Sequence, residues 1–246
     1  KKTLMNNLQK KLSIITVTKD CRATLERTLL SVQKIKTEDI EYIIIDGVST
    51  DGTLDLIKQY GDLIDHCISE PDTGIYNAMN KGVSRANGTY ILFINGDDEL
   101  ISDGFPEVLA HIDAEKSDII CAATLVGSEQ SPIEKLVAKP LRLLFFNSIP
   151  HPSSFVKTQL LKKIPFREDL KIAADYHFFL GAYLKRQKFT IIKSATALHQ
   201  RGGASGDVIQ SNIEIEAIKS YHLGALYPII TLLSKTYRFT KKLINK

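Results

Sequence analysis

The chain has 246 residues, 43% hydrophobic and 24% charged, a composition that builds one large core and excludes a disordered chain. Its net charge of +4 is too small to point to a nucleic-acid partner. Three widely spaced cysteines, Cys21, Cys67 and Cys121, argue against a disulfide framework or zinc site, and no stretch reaches the ~18 apolar residues of a membrane-crossing helix.

Residues 1–11 are polar and basic and stand outside the fold expectation. Leu12–Val17 is a short apolar run, as in a buried parallel strand. Leu25, Leu29, Val32 and Ile35 recur at helical spacing. Tyr42–Ile45 predicts a second strand ending at Asp46, and Ser49-Thr50-Asp51-Gly52 offers caps for a helix over Thr53–Tyr60. A helix over Ile75–Ala86 follows, then a third strand over Tyr90–Ile94 ending at Asn95-Gly96-Asp97-Asp98. This alternation predicts an α/β fold with a mostly parallel sheet, whose ligands bind outside the carboxyl ends of the strands. Polar segments stand at three of those ends: Thr18-Lys19-Asp20, Asp46-Gly47-Val48-Ser49 and Asn95-Gly96-Asp97-Asp98. The second half predicts a strand over Asp118–Ala123, a Pro- and aromatic-containing segment over Pro140–Phe155, a helix over Leu170–Arg186, a strand over Phe189–Ile192 and a helix over Asp207–His222. No linker separates the halves. The expectation is one domain over 12–222, with halves 12–115 and 116–222 on one continuous sheet, and a tail over 223–246.

The acids at the strand ends carry the first chemical signals. Asp97-Asp98 on a tight glycine turn can hold a hard cation such as Mg²⁺ or Mn²⁺, which bridges a diphosphate and neutralises a leaving group. The plain alternative is a pair of solvated turn acids. Asp46 can accept a hydrogen bond from a base edge or a ribose, or it can serve an N-cap or Asx-turn.

Four ordered segments carry a family resemblance: Ser13–Thr18, Glu41–Thr53, Ser69–Gly82 and Tyr90–Asp98. Together they resemble the family 2 inverting glycosyltransferases, and among them the bacterial enzymes of exopolysaccharide, O-antigen and capsule synthesis. The likeness is strong over residues 12 to about 100 and looser over 145–205. It implies a GT-A fold with a nucleotide-sugar-binding half and an acceptor half, a UDP-sugar or similar donor, and Mn²⁺ or Mg²⁺. It places Val17 and Thr18 at the nucleotide sugar, Asp46 on the base, and Asp97, with Asp98 beside it, at the metal; Asn95, which can accept from a ribose hydroxyl, Gly96 and Lys81 are further candidates for donor contact. Two departures stand out: Asn95 where the first acid of an Asp-x-Asp motif is usual, and Gly47 where a second acid commonly follows Asp46. The resemblance makes Asp175, in Ala173-Ala174-Asp175-Tyr176, the general base that deprotonates the acceptor hydroxyl, although Ala174 replaces a usual acid. A single in-line displacement then inverts the anomeric centre.

His151, between Pro150 and Pro152, is assigned with Tyr76 to the acceptor side, and His199 to the metal. Either histidine can instead be structural. Arg201, before Gly202-Gly203, suits a loop closing on phosphates, or a plain surface turn. Lys81 and Arg85 also read as a solvated helix face. From Thr231 to Lys246 there are five basic residues and no acid, interleaved with apolar ones. This pattern suits a membrane surface, a second subunit in a homodimer, or packing on the chain itself. The expected location is cytoplasmic, peripheral on the inner membrane face, with a glycan or lipid-linked acceptor.

Other classes fit less well. A sugar nucleotidyltransferase needs a glycine-rich loop after the first strand, where this chain has Thr18-Lys19-Asp20-Cys21-Arg22. A dehydrogenase needs Gly-x-Gly-x-x-Gly after a strand, and none occurs. A non-catalytic nucleotide-sugar-binding scaffold is the remaining alternative, supported by Asn95, Gly47 and Ala174 and opposed by Asp46, Asp97 and Asp175.

Overall fold

The computed structural model describes residues 10–128, 131–200 and 207–233. Its first half follows the expected alternation: β1 (Leu12–Thr18), α1 (Leu25–Gln33), β2 (Ile40–Asp46), α2 (Thr53–Gln59), β3 (His66–Ser69), α3 (Ile75–Arg85) and β4 (Tyr90–Phe93). Every residue of β1, β2 and β4 is buried, because helices cover both faces of the sheet. The faces alternate along each strand. Leu12, Ile14, Tyr42 and Ile44 pack in one core with Leu25, Leu29 and Leu56. Ile15, Val17, Ile43 and Ile45 pack in the other with Met79, Val83 and Phe166. A one-residue register slip would exchange these two sets.

β5 (Glu99–Leu100) and α4 (Phe105–Asp113) complete the first half, and the second contains β6 (Ile119–Ser128), β7 (Ser131–Leu136), β8 (Ser154–Lys157), α5 (Thr158–Lys163), α6 (Ala174–Leu184), β9 (Phe189–His199) and α7 (Val208–Leu223). Among the described residues the nine strands form one sheet in the order β3-β2-β1-β4-β8-β6-β9-β5, with β7 on β6. The sheet is mixed rather than mostly parallel. β8 lies antiparallel between β4 and β6, pairing Leu92 with Phe155 and Ile120 with Phe155. β8 on β4, and β9 on β5, join the halves.

Two elements differ from their sequence expectation in ways that matter for the site. β9 runs on from Ile192 to His199, parallel to β6 and antiparallel to β5. The pairing of Leu198 with Glu99 brings His199 beside Asp98. The helix expected from Leu170 starts only at Ala174. The backbone N–H groups of Lys171, Ile172 and Ala173 donate instead to the Glu214 carboxylate on α7, at 2.9, 3.0 and 2.9 Å. Three donors that a helix turn would leave unpaired are thus satisfied by a side chain from a distant element.

Candidate active site

A cavity of about 950 Å³ opens at the carboxyl ends of β1 and β4. This is where a parallel α/β sheet presents its loops. Val17, Thr18, Asn95, Gly96, Asp97 and His199 form one part of its wall. Tyr76, Asn147, His151 and Asp175 form another. All ten lie on one surface, and nine of them, Asn147 being the exception, are residues expected from sequence.

The Asn95–Asp98 turn is gripped by α1. Thr24 Oγ1 donates to Gly96 O at 2.7 Å, and Thr28 Oγ1 donates to Asp98 O at 2.6 Å. Ser31 Oγ accepts from Leu100 N at 2.9 Å. These three residues, at helical spacing, form the polar edge of a helix whose opposite edge is core. Gly96 permits close packing, since a Cβ there would sit 3.2 Å from Cys21 Cβ and 3.4 Å from Thr18 Oγ1.

The two adjacent acids separate in role. Asp97 lines the cavity, and burial together with the Asp98 charge pushes its carboxyl above the usual range. Asp98 is fully buried and outside the cavity wall. Its Oδ1 pairs with His199 Nδ1 at 2.7 Å, which raises the His199 pKa against the opposing effect of burial. Asp98 therefore orients the imidazole through Oδ1, while its Oδ2 carries no hydrogen-bond partner. A carboxylate on one ring nitrogen directs the other toward a ligand.

The chemistry of this corner fits a divalent cation completed by phosphate. Asn95 Oδ1, Asp98 Oδ2 and Thr18 Oγ1 are buried without hydrogen-bond partners. Orphaned oxygens of this kind call for a partner. Among the described residues no cluster of three or more His, Cys, Asp or Glu side chains forms a closed metal cage. Mg²⁺-type sites commonly use one or two carboxylates, with substrate phosphates and water supplying the rest. Asp97 and His199 suit such an open site.

Asp175 stands in the first turn of α6 and is half-buried on the cavity wall. Asn147 Nδ2 donates to its Oδ2 at 3.1 Å, and its Oδ1 accepts from the Tyr176 backbone at 2.7 Å. The Tyr76 hydroxyl, 3.4 Å from Asp175 Oδ1, donates to Ile172 O at 2.6 Å. Burial and the Asp175 charge hold the Tyr76 phenol well above its usual pKa, so it stays neutral. His151 stacks on Phe93 at 5.4 Å between ring centroids, with Phe166 and Phe179 edge-on. Burial lowers its pKa and favours a neutral ring.

Two expected donor contacts are placed elsewhere. Asp46 is fully buried and outside the cavity wall. Its carboxylate accepts from Ser49 N at 3.0 Å, from Ser49 Oγ, and from Ser69 Oγ at 2.6 Å. This is the Asx-turn alternative, and it stabilises a turn in which Val48 has φ of 62°, a strained value for a β-branched residue. Lys81 is also outside the cavity wall. Its ammonium pairs with Glu70 at 2.9 Å and donates to Pro71 O at 2.6 Å, so it braces the loop before α3. Arg201 lies outside the described residues. Asn147 and Glu214 belong to no sequence motif, and Asp72 lies inside a recognised segment, Ser69–Gly82, with no signal of its own.

Residues 13–183 match the model of Glycosyl transferase family 2. The chain is 29% identical over 229 residues to a PGL/p-HBAD biosynthesis glycosyltransferase of Mycobacterium tuberculosis, covering 89% of this chain and 88% of that protein. It superimposes on TarS (residues 1–349) of Staphylococcus aureus in complex with UDP-GlcNAc with a TM-score of 0.75 at 22% identity, over 94% of this chain and 73% of that one. Mannosyltransferase PcManGT from Pyrobaculum calidifontis, in complex with GDP-Man and Mn²⁺, gives 0.66 at 14% identity, over 94% and 74%. The architecture is the GT-A fold.

Proposed function

The chain belongs to glycosyl transferase family 2, and from that premise we propose that it transfers a sugar, with inversion, from a UDP-sugar to a hydroxyl of a glycan or lipid-linked acceptor in bacterial surface-polysaccharide synthesis. The observation that carries this reading is one cavity holding Asp97 and His199 on one part of its wall and Asp175 on another. The names of relatives support the donor and enzyme classes: TarS was solved with UDP-GlcNAc, and the mycobacterial relative is named a PGL/p-HBAD biosynthesis glycosyltransferase.

In this mechanism Val17 and Thr18, at the end of β1, line the donor site. Asn95 and Gly96 hold the turn against the donor. Asp97, with His199 oriented by Asp98, would hold Mn²⁺ or Mg²⁺. Such an ion, when bound, neutralises charge on the departing diphosphate. Asp175 takes the proton of the acceptor hydroxyl as its oxygen attacks the anomeric carbon from the face opposite the diphosphate. Asn147 holds the Asp175 carboxylate in place, and Glu214 fixes the segment that leads into it. Tyr76 and His151, both neutral, form acceptor-side wall. Residues 12–222 act as one domain.

The apolar surface of α7 and the basic tail supply a membrane-facing side. Ile209, Ile213 and Tyr221 lie four and eight residues apart on one helix face and are 76%, 60% and 71% exposed. After Glu216 the sequence contains no acid, and five basic residues follow Thr231. A sequence of this charge suits an anionic lipid surface, which we take as the occupant proposed for the α7 face. The basic residues themselves lie outside the described residues.

The deciding experiment is calorimetric binding and hydrolysis of UDP-, GDP- and dTDP-sugars with Mn²⁺, Mg²⁺ or EDTA. We expect a UDP-sugar to bind in a metal-dependent way and Asp97→Ala to weaken that binding at least tenfold. Binding without any turnover, across a panel of acceptors, would favour the scaffold alternative. Absence of binding to every nucleotide sugar would remove the enzyme reading.

A further inference from the structure

We infer that Asp72 is the carboxylate that reads the nucleobase of the donor, accepting the single imide N–H of a uracil ring. The inference rests on the donor reading above. Its starting point is the displacement of one acid by another. Asp46, the acid that the family likeness puts on the base, is sealed, with its oxygens taken by Ser49 and Ser69. At Gly47 the chain has no side chain where a second acid is common. The space that a Cβ would enter there is filled by Oδ2 of Asp72. Lys19 Cδ lies 3.3 Å from the same point. Asp72 thus enters from the β3–α3 loop into the volume that a side chain at 47 would claim. Asp72 lines the cavity and Asp46 does not.

The loop that delivers Asp72 is braced. Glu70 N donates to Asp46 O at 3.0 Å, and Ser69 Oγ donates to Asp46 Oδ2 at 2.6 Å. Lys81 ties Glu70 and Pro71 to α3. Sealed Asp46 and non-lining Lys81 therefore act on the donor site through Asp72, as positioning residues.

The two oxygens of Asp72 differ. Oδ1 accepts from Gly74 N at 2.9 Å. Oδ2 accepts no hydrogen bond among the described residues. One available acceptor matches the lone N3–H of uracil or thymine. Guanine presents two adjacent donors and asks for both oxygens. Adenine N1 and cytosine N3 are acceptors and would face the carboxylate with like polarity.

The test measures dissociation constants of UDP, N3-methyl-UDP and GDP by calorimetry in Mn²⁺, for the unmodified chain, Asp72→Ala and Gly47→Ala, with circular dichroism confirming that each variant is folded. N3-methylation removes the donor that Asp72 would accept. We expect the unmodified chain to prefer UDP over N3-methyl-UDP by about tenfold or more, as one charge-assisted hydrogen bond allows. In Asp72→Ala the two ligands should bind within about twofold of each other. Gly47→Ala keeps the acid but pushes Oδ2 aside, so it should narrow the preference as well. Persistence of the full preference in Asp72→Ala overturns the inference. Equal binding of UDP and N3-methyl-UDP by the unmodified chain also overturns it, and leaves the donor reading standing. GDP binding as tightly as UDP overturns the one-oxygen argument. Failure of the unmodified chain to bind any of the three removes the donor reading, and this inference with it.

Discussion

Asp97 and Asp98 are adjacent in sequence, yet one lines the cavity and the other is sealed behind it. Consecutive residues in a tight turn point different ways, so a motif of two acids does not say which one meets the ligand. Asp46 makes the same point, since three donors within its own turn and strand neighbour claim its carboxylate. Asp175 differs. Its Oδ2 is steadied by a single side-chain amide from Asn147, and it sits on the cavity wall. If it is the general base, Asp175→Asn should lower kcat by about 10²–10⁴-fold with little change in donor affinity. Single-turnover kinetics beside calorimetric donor binding would check this. An unchanged kcat would remove Asp175 from the chemistry.

Elements carry the site residues into place, and two of them do so through pairing that short-range pattern does not encode. β9 is legible to Ile192, where its apolar run ends, but its continuation to His199 depends on β6 and β5. α6 packs on α7 through His177 and His222, whose ring centroids are 4.6 Å apart and whose Nε2 atoms are buried without partners. Burial, followed by repulsion from His222, lowers the His177 pKa to about 4; Arg167 and Lys185 act in the same direction and Asp169 opposes them. An unfolded histidine titrates near 6.5. Below that pH the unfolded chain takes up a proton that folded His177 refuses until about pH 4. This contribution is therefore fully present above pH 6.5 and is lost as pH falls toward 4. The melting temperature should drop between pH 7.5 and pH 5, and His177→Gln should flatten that slope. Identical slopes in both proteins would refute the assignment.

At the scale of the whole molecule, one mixed sheet makes the two halves a single body, with the cavity on the strand ends and α7 exposing an apolar stripe. No helix among the described residues is long and apolar enough to cross a membrane. The full chain should co-sediment with anionic vesicles, release in high salt, and lose binding in the double variant Ile213→Glu, Tyr221→Glu. A doubled mass in light scattering without vesicle binding would assign the stripe to a second copy of this chain. The amino-acid sequence alone determined the family, the βαβ order of the first hundred residues and the strand-end segments that border the cavity. Those features rest on local periodicity and on short segments whose backbone and side chains act together. Tertiary structure decided which acids face the cavity, the length of β9, the late start of α6 at Ala174 and the entry of Asp72 above Gly47. Each of these depends on a hydrogen-bond partner or a free volume supplied by a residue far away in the chain, and local pattern holds no record of such partners.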